Sequence, residues 1–238
     1  MKQFAIIGVS KFGRRMIEEL SKTECEILII DKDKERIESM KDQVTAAYIA
    51  DAINEEIIVK LIPPTIDAAI VDLGDNTEAS ILVTNYLKKH GIKDIIATAE
   101  SDGHGEILSI VGATRIIFPN REAAKRITPL LVSSLLFNYL PIGNGMAIAE
   151  TKIPEKYIDI TLVEADIRKN TGLTVIAIRK EQSEDYEYFS PEYRLQEDDM
   201  LLVVGKEEDL EKFTGQKQVQ KRRGISTVFR DLFARRRT

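Results

Sequence analysis

A short glycine-containing loop near the N-terminus is the first segment whose residues and spacing indicate chemistry. Residues 8–13 (GVSKFG) follow an apolar run and precede an amphipathic segment, the position at which a dinucleotide-binding fold holds phosphate on a helix N-terminus. In that pattern Gly8 permits a tight turn and Gly13 permits close helix packing, but Ser10 replaces the glycine that lets a pyrophosphate approach. The serine weakens the case for a dinucleotide and still allows a phosphate contact.

Acidic residues after the next two apolar runs extend this pattern. Asp31 follows residues 27–30, where the fold places an acid that accepts hydrogen bonds from ribose hydroxyls and repels the 2′-phosphate of NADP. Its alternative role is to cap the next helix, for which Asp33 is better placed. Asp51 follows the third run and either holds the far side of the nucleotide or caps a helix that starts near Asn54. The sequence therefore predicts a nucleotide site with the ribose at Asp31.

Other chemistries fit the sequence poorly. A Walker-type phosphate loop needs lysine and then serine or threonine directly after its second glycine, and this chain has two arginines there. A nucleophile elbow needs glycine where Phe12 stands, so Ser10 is not expected to be a nucleophile. His90 and His104 match no carboxylate, serine or cysteine arrangement and are expected to be solvated or structural. We therefore expect a protein that is not an enzyme.

The elements that must position these residues follow from hydrophobic periodicity. Six short apolar runs alternate with amphipathic stretches up to about residue 120, which is typical of βα units that feed a parallel sheet. The strand candidates are residues 4–8, 27–30, 46–50, 68–71, 94–98 and 115–118. Helix starts are predicted at Asp33 and at Asn76 or Thr77. We predict an α/β fold with a Rossmann-like, doubly wound parallel sheet.

The alternation stops after Pro119, and a long helical segment that restarts at Thr128 and Pro129 is predicted there. A threonine and a proline at positions 128 and 129 suit a helix cap and first turn, so residues 128–140 are predicted to form a helix. Its side chains are apolar almost all round, which requires burial by the chain's own fold or, as we favour, by another subunit. Residues 141–145 are predicted to be a turn-rich linker.

The second half has a different pattern. Short β-like runs at residues 147–153, 158–163, 174–179, 186–189 and 200–204 precede a helix at 207–213. They predict a smaller α+β domain over residues 146–214. Residues 215–238 form a tail with eight basic side chains and one acidic one, so that the preceding chain carries −12 against a net charge of −5. Apolar residues recur in the tail at helical spacing, which fits either binding to an anionic membrane face or a disordered end.

Composition limits the cellular location of the protein and the kinds of site that it can contain. The longest apolar stretch, near residues 130–140, is interrupted by polar residues and is shorter than a membrane span. The N-terminus enters a strand without a secretion signal, and the single cysteine, Cys25, supports neither a disulfide nor a cysteine-rich metal site. An acidic body with 6% aromatic residues argues against nucleic-acid binding. We expect a cytoplasmic protein.

Six segments together resemble one family. They are residues 8–13, Asp31, residues 50–52 (ADA), 108–119 (LSIVGATRIIFP), 172–179 (GLTVIAIR) and 198–205 (DDMLLVVG). Over roughly residues 1–214 the chain is similar to the KTN/RCK regulators of potassium uptake, of the TrkA and KtrA type. The resemblance implies a nucleotide-binding RCK N-terminal domain at 1–140 that includes a crossover helix, and an RCK C-terminal domain at 146–214.

The resemblance also implies a ligand and its contacts. The ligand would be ATP or ADP, with NAD or NADH less favoured because of Ser10. The loop would face the phosphates, Asp31 the ribose, and Asp51 with Ala52 the adenosine, while Lys11 stands where relatives have an arginine that reaches the terminal phosphate. The candidate binding set is Gly8, Ser10, Lys11, Phe12, Gly13, Asp31, Lys32, Asp51 and Ala52.

Assembly and partners are likewise implied by the resemblance. The crossover helix would pair subunits into homodimers that build a higher ring, an octamer, beneath a membrane potassium transporter subunit of the TrkH or KtrB type. Ligand-dependent changes in the ring would gate that transporter from the inner face of the membrane, where the basic tail would contact lipid or transporter. Asn120 stands where some relatives carry an acid linked to divalent cations, so no metal site is expected. The alternatives are an NAD-dependent oxidoreductase and a nucleotide sensor without a transporter.

Overall fold

The computed structural model describes residues 1–215. The chain divides into two compact units, Met1–Glu122 and a second that begins at Ala123. The basic tail that the sequence predicts lies, beyond Gly215, outside the described residues. Within residues 1–215, no helix has the length and apolar character needed to cross a bilayer.

A six-stranded parallel sheet forms the centre of the first unit. Its strands are β1 (Lys2–Ile7), β2 (Cys25–Asp31), β3 (Ala46–Ile49), β4 (Ala68–Val71), β5 (Ile95–Thr98) and β6 (Arg115–Ile117). They run in the order β3-β2-β1-β4-β5-β6, which reverses direction between β1 and β4 as in doubly wound dinucleotide-binding folds. This sheet confirms the predicted fold class, and each strand lies within a residue or two of its predicted run.

Helices connect these strands and cover both faces of the sheet. They are α1 (Lys11–Leu20), α2 (Lys34–Met40), α3 (Glu55–Leu61), α4 (Thr77–Lys89) and α5 (Asp102–Val111), with a short 3-10 turn at Lys41–Gln43. Asp33 caps α2 by accepting the N–H groups of Glu35 and Arg36, and Asn76 caps α4 through the N–H of Ala79. The predicted helix starts are therefore correct.

Adjacent residues of β1 pack on opposite faces of the sheet. Ile7 belongs to the apolar cluster that contains Val83 and Leu87 of α4, whereas Ile6 belongs to the cluster that contains Ile17 of α1. All of these side chains are fully buried. A strand covered on both sides has no wet face, which explains why β1 and β4 read as continuous apolar runs in the sequence.

The predicted helix after Pro119 is confirmed as far as Val132, but its predicted continuation to residue 140 is wrong. Helix α6 spans Pro119–Val132, and residues Leu136–Gly143 form strand β7. Leu136 and Tyr139 point into the core of the second unit, so this part of the apolar run is buried by the chain's own fold. Unbroken apolar residues satisfy a buried strand as well as a buried helix, and periodicity alone does not separate the two.

The second unit is built on a four-stranded antiparallel sheet. After β7 come β8 (Met146–Lys152), β9 (Thr174–Lys180) and β10 (Asp199–Lys206), in the sheet order β7-β8-β10-β9. Its helices are α7 (Leu162–Ala165), α8 (Ile167–Thr171) and α9 (Glu207–Phe213), with a 3-10 turn at Glu155–Tyr157. The segment predicted as a linker instead completes β7 and turns at Asn144 and Gly145 into β8. The smaller α+β unit is as predicted.

Two of its predicted strands are absent from the described residues. Residues 158–163 do not extend, because Asp159 has a left-handed backbone with φ of 62° and a capping box of Thr161 and Glu164 starts α7. Residues 186–189 make an isolated bridge between Glu187 and Ile178 rather than a full strand. Local backbone geometry and side-chain capping thus overrode the apolar pattern.

Candidate functional site

The GVSKFG loop joins β1 to α1 at the carboxyl edge of the sheet and approaches β4 closely. Gly8 has a φ of 92°, and a Cβ atom there would lie 2.7 Å from the carbonyl carbon of Asp72 and overlap its oxygen. A Cβ atom on Gly13 would lie 2.6 Å from the carbonyl oxygen of Gly8. Both positions therefore require glycine, one for its turn and both for lack of space.

Ser10 occupies the N-cap position of α1 but does not cap it with its side chain. Its hydroxyl donates instead to the carboxylate of Asp72. The hydroxyl is therefore engaged with Asp72 on the sheet side of the loop. Serine fits at the fingerprint's middle position because Asp72 receives it.

Asp72 is the central residue that the sequence analysis missed. Its side chain is 3% exposed, and its Oδ2 atom also accepts the backbone N–H of Gly13 at 2.6 Å. The Oδ1 atom accepts the hydroxyl of Thr98 at 2.9 Å. Asp72 directly follows β4 as Asp31 ends β2, so an acid at the end of an apolar run was the signal available in the sequence.

Asp31 braces the other side of the same loop. Its buried Oδ2 atom accepts the N–H of Val9 at 2.7 Å, and Oδ1 accepts the N–H of Asp33 at 2.8 Å. The guanidinium of Arg36 lies 3.5 Å from Oδ2. Because a carboxylate offers about four acceptor positions, Asp31 keeps capacity for a ligand hydroxyl while it holds the loop.

Two neighbouring cavities open at this edge. The smaller, of about 210 Å³, is lined by five predicted residues: Gly8, Asp31, Lys32, Asp51 and Ala52. The larger, of about 950 Å³, is lined by three more: Ser10, Lys11 and Phe12. Arg36 and Leu73 line both cavities. The structure thus brings eight predicted residues to adjoining cavities, while Gly13 lies beneath the loop and lines neither.

Asp51 is not the cap of α3. The N-cap is Asn54, whose side chain accepts the N–H of Glu56 at 3.0 Å. Asp51 accepts the N–H of Ile53 at 3.1 Å, which shapes the turn after β3, and its side chain lines the smaller cavity. Ala52 beside it is buried against the core of the sheet. The capping alternative for Asp51 is therefore wrong.

The larger cavity carries a mixed charge with basic residues in excess. Its cations are Lys11, Arg14, Arg15 and Arg36, and its anions are Asp72, Asp75 and Glu100. The N-terminus of α1 adds partial positive charge on the same side. An anion that enters this cavity is therefore attracted both by side chains and by the helix end.

The two histidines have structural surroundings. His104 lies inside α5 and is buried. Its Nδ1 atom accepts the N–H of Glu100, so the ring proton is on Nε2. The Nε2 atom lies 2.8 Å from the hydroxyl oxygen of Ser80. Burial lowers the pKa of His104 from its ordinary value of 6.5, although Glu100 partly opposes this. The Nε2 atom of His90 lies 2.8 Å from the carbonyl oxygen of Ile62. Neither side chain lines the two cavities.

A separate polar network is buried in the second unit. Glu150 of β8 is 1% exposed and pairs with Arg179 of β9, while Tyr186 and Asn138 donate to the same carboxylate. Burial raises the pKa of Glu150, but the hydrogen bonds from Arg179, Tyr186 and Asn138 outweigh it and hold the pKa below its usual range. This carboxylate is matched by a cation and by hydrogen bonds within its own sheet.

Asp199 repeats this arrangement at the start of β10. It is fully buried, accepts the hydroxyl of Tyr193 at 2.9 Å and the N–H of Gln196 at 2.8 Å, and lies 2.8 Å from the ammonium of Lys180. Two buried acids of the second unit are therefore paired with cations. Pairing of this kind offsets the cost of burying charge and serves the fold.

Comparison with known proteins identifies both units. Residues 4–119 match the TrkA-N domain family and residues 146–216 match the TrkA-C domain family. Over 212 residues the chain is 31% identical to Ktr system potassium uptake protein C of Bacillus subtilis, covering 89% of this chain and 96% of that protein. It is 30% identical to Ktr system potassium uptake protein A of the same organism, with 89% and 95% covered.

Solved structures show the same fold. The RCK domain of GsuK superposes with a TM-score of 0.62 at 18% identity, covering 90% of this chain and 48% of that one. The GsuK channel bound to NAD gives 0.63 at 19% identity, covering 90% and 40%. This chain thus spans about half or less of the length of these two proteins. With its TrkA-N and TrkA-C domains in order and its match to the Ktr proteins over nearly their full length, the chain belongs to the TrkA/Ktr family of potassium uptake proteins.

Proposed function

We propose that this protein is a regulatory subunit that binds an adenine nucleotide and thereby gates a membrane potassium transporter. The observation that carries the proposal is the pairing of the GVSKFG loop with Asp31 at the carboxyl edge of the sheet. Ligands of open α/β sheets bind where the strand order reverses, and the two cavities open at this reversal, between β1 and β4. Family membership supports the role in potassium uptake.

The binding mode follows from the lining residues. The phosphates lie at the N-terminus of α1, where Lys11 and the nearby arginines supply positive charge. The ribose hydroxyls donate to Asp31, which retains acceptor capacity, and the adenine enters the smaller cavity between Asp51 and Leu73. Ser10 favours ATP or ADP over a dinucleotide, because it occupies the place of the glycine over which a pyrophosphate passes.

NAD or NADH is the second candidate, and a specific observation favours it. The larger cavity continues past the phosphates to Thr98, Glu100 and Pro119, in the direction of the second half of a dinucleotide. One structure of the same fold is a GsuK channel bound to NAD. In addition, the hydroxyl of Ser10 is engaged with Asp72, so the serine obstructs a pyrophosphate less than its type alone suggests.

We place the site in a sensor rather than an oxidoreductase. Hydride transfer to or from a nicotinamide needs an acid or base beside the reacting carbon. Glu100 is the ionisable residue at that end of the larger cavity, and neither histidine lines it. The relatives that match over nearly their full length are potassium uptake proteins. The protein then works by binding, since a ligand that favours one conformation shifts the population toward it.

The partner is proposed to be a potassium transporter subunit of the TrkH or KtrB type at the inner face of the membrane. Helix α6 presents apolar side chains to solvent, with Leu131 79% exposed and Ile127 and Val132 also exposed. Such a face supports subunit pairing, and repetition of the pair would build a ring, an octamer by family resemblance. A ring of this kind converts nucleotide binding in each subunit into one movement beneath the transporter.

Thermal unfolding of the full chain with ATP, ADP, AMP, NAD or NADH tests the proposal. A ligand present at a hundred times its Kd adds about 2.7 kcal/mol to the free energy of unfolding. We expect at least one adenine nucleotide to raise the Tm and Asp31→Ala to lose that rise. Asp33→Ala is the matched control, because Asp33 caps α2 and lines neither cavity. The ligand should therefore still raise the Tm of this variant.

Three results would contradict parts of the proposal. If no nucleotide raises the Tm, the site does not bind nucleotides. If the protein oxidises a small alcohol or acid with NAD, the oxidoreductase alternative replaces the sensor. If nucleotide binding is confirmed but leaves potassium flux through a reconstituted transporter unchanged, the protein is a sensor with another partner.

A further inference from the structure

The buried carboxylate of Asp72 places negative charge where the proposed site holds phosphate. It lies directly after β4 beneath the GVSKFG loop, and it lines the larger cavity beside Ser10 and Lys11. A phosphate on the N-terminus of α1 meets the loop from the open side and has this carboxylate behind the loop. We propose that Asp72 determines ligand specificity by weakening binding as the number of phosphate charges on the nucleotide rises. This inference rests on the proposed function.

The charge of Asp72 follows from its hydrogen bonds. The backbone N–H of Gly13 is an obligate donor, and the hydroxyls of Ser10 and Thr98 also donate to the carboxylate. An ionised carboxylate accepts all three, because it carries acceptors alone. At 3% exposure the charge is screened less by water and salt than a surface charge is, so its effect on a neighbouring phosphate is stronger.

Two of the four cations that line the cavity are engaged with acids other than Asp72. Arg36 shares its guanidinium with Asp31 at 3.5 Å, and Arg15 pairs with Glu18 at 2.5 Å. The arginine side chains are partly or largely exposed, 48% for Arg36 and 78% for Arg15. Attraction therefore acts at the rim of the cavity and repulsion at its base. The added phosphates of ADP and ATP feel both effects, and Asp72 sets the unfavourable one.

Asparagine at position 72 is well suited to isolate the charge. Its amide oxygen can accept from Ser10 and Gly13, as Oδ2 of the aspartate does. Its NH₂ group can then donate to the hydroxyl of Thr98, which has a second acceptor in the carbonyl oxygen of Val71 at 3.4 Å. Each polar group keeps a partner while the charge is removed.

Calorimetric titration of the full chain with AMP, ADP and ATP tests the inference. EDTA is included so that no divalent cation offsets the phosphate charge. We expect Asp72→Asn to raise the affinity least for AMP, more for ADP and most for ATP. The ratio of ATP affinity to AMP affinity should increase about tenfold. Thr98→Val is the matched control: it removes one hydrogen bond from the carboxylate and keeps the charge, so it should change the three affinities by one common factor.

The outcomes separate this inference from the proposed function. If Asp72→Asn changes the three affinities equally, or weakens ATP most, Asp72 shapes the loop and the inference is wrong. A graded change in Thr98→Val overturns it as well, because the charge is intact there. Should Asp72→Asn fail to fold by circular dichroism, Asp72→Ser provides a second neutral variant for the same comparison. If neither the wild type nor the neutral variant binds any of the three nucleotides, this inference is wrong, and the proposed function then depends on the binding of NAD or NADH.

Discussion

Buried acids in the two units of this protein are stabilised in different ways. In the second unit Glu150 pairs with Arg179 and Asp199 with Lys180. In the first unit Asp72 is held by two hydroxyls and one backbone N–H. Asp31 is held mainly by two backbone N–H groups. All four carboxylates are buried, but Glu150 and Asp199 have cations in close contact, whereas the cation beside Asp31, Arg36, lies 3.5 Å away and Asp72 is held by neutral donors.

The difference separates a structural use of charge from a functional one. When an acid is paired with a cation within its own sheet, the two charges largely neutralise each other, and the pair is part of the folded structure. An acid held by neutral donors keeps its field, which reaches whatever binds beside it. We therefore expect the buried acids at the carboxyl edge of the parallel sheet to affect ligand binding, and those of the antiparallel sheet to affect stability.

The largest expected effect comes from replacing one carboxylate of each kind by its amide. Glu150→Gln leaves the Arg179 charge without its partner and should lower the free energy of unfolding by about 3 kcal/mol. Asp72→Asn keeps neutral partners for all its neighbours and should cost about 1 kcal/mol or less. Urea unfolding of both full-length variants, followed by circular dichroism, measures the two costs. Equal costs would show that the two units do not differ in the way described.

A smaller effect distinguishes two neighbouring acids of the first unit. Asp31→Ala leaves the N–H groups of Val9 and Asp33 without their acceptor and should cost about 2 kcal/mol. Asp33→Ala removes a helix cap with exposed surroundings and should cost about 1 kcal/mol. The same urea experiment compares them without ligand. A larger cost for Asp33→Ala would mean that Asp31 braces the loop less than its hydrogen bonds indicate.

Mild acid should weaken the first unit before the second, and this is the smallest expected effect. Because burial lowers the folded-state pKa of His104 below 6.5, the unfolded chain binds more protons, and stability falls as the pH drops below that value. The pKa of Glu150 is held below 4.5, so its contribution is lost only in stronger acid. Between these values, amide exchange corrected for intrinsic rates should lose protection in α5 and keep it in β8.

A histidine variant provides the control for the acid experiment. His104→Gln should remove the pH dependence of protection in α5 between pH 6.5 and 4.5, because the side chain no longer titrates. If α5 loses protection equally in that variant, another group is responsible. If β8 weakens together with α5, the two units do not respond to acid separately.

Much of the fold was predictable because the parallel sheet leaves a strong trace in sequence. Strands covered on both faces read as apolar runs, and Asp33 and Asn76 marked helix starts through their own chemistry. Residues 133–140 were misassigned because their apolar run continues that of α6 without a break, and such a run suits a helix as well as a strand. What decides between helix and strand there is pairing with β8, a contact that a local pattern does not contain.

The candidate site was predictable in its outline and not in its interior. Asp31 and the loop glycines stand at spacings that a known fold requires, so their type and position together identified them. Asp72 lacks such a spacing, since its role arises where the ends of β1, β4 and β5 meet. The residue type of Ser10 likewise argues against a dinucleotide, but the sequence does not show that its hydroxyl donates to Asp72.

The strand order also constrains how the protein is made. Strand β1 lies at the centre of its sheet, between β2 and β4, so its second edge remains unpaired until residues 68–71 have been synthesised. At about 5–20 residues per second, the ribosome leaves this apolar edge open for several seconds. The β7–β8 hairpin, closed by the turn at Asn144 and Gly145, has its partner almost as soon as it emerges. The other edge of β8, however, also remains unpaired until β10 (Asp199–Lys206) has been synthesised. Each sheet therefore exposes one edge of an interior strand until a distant segment of the chain has emerged.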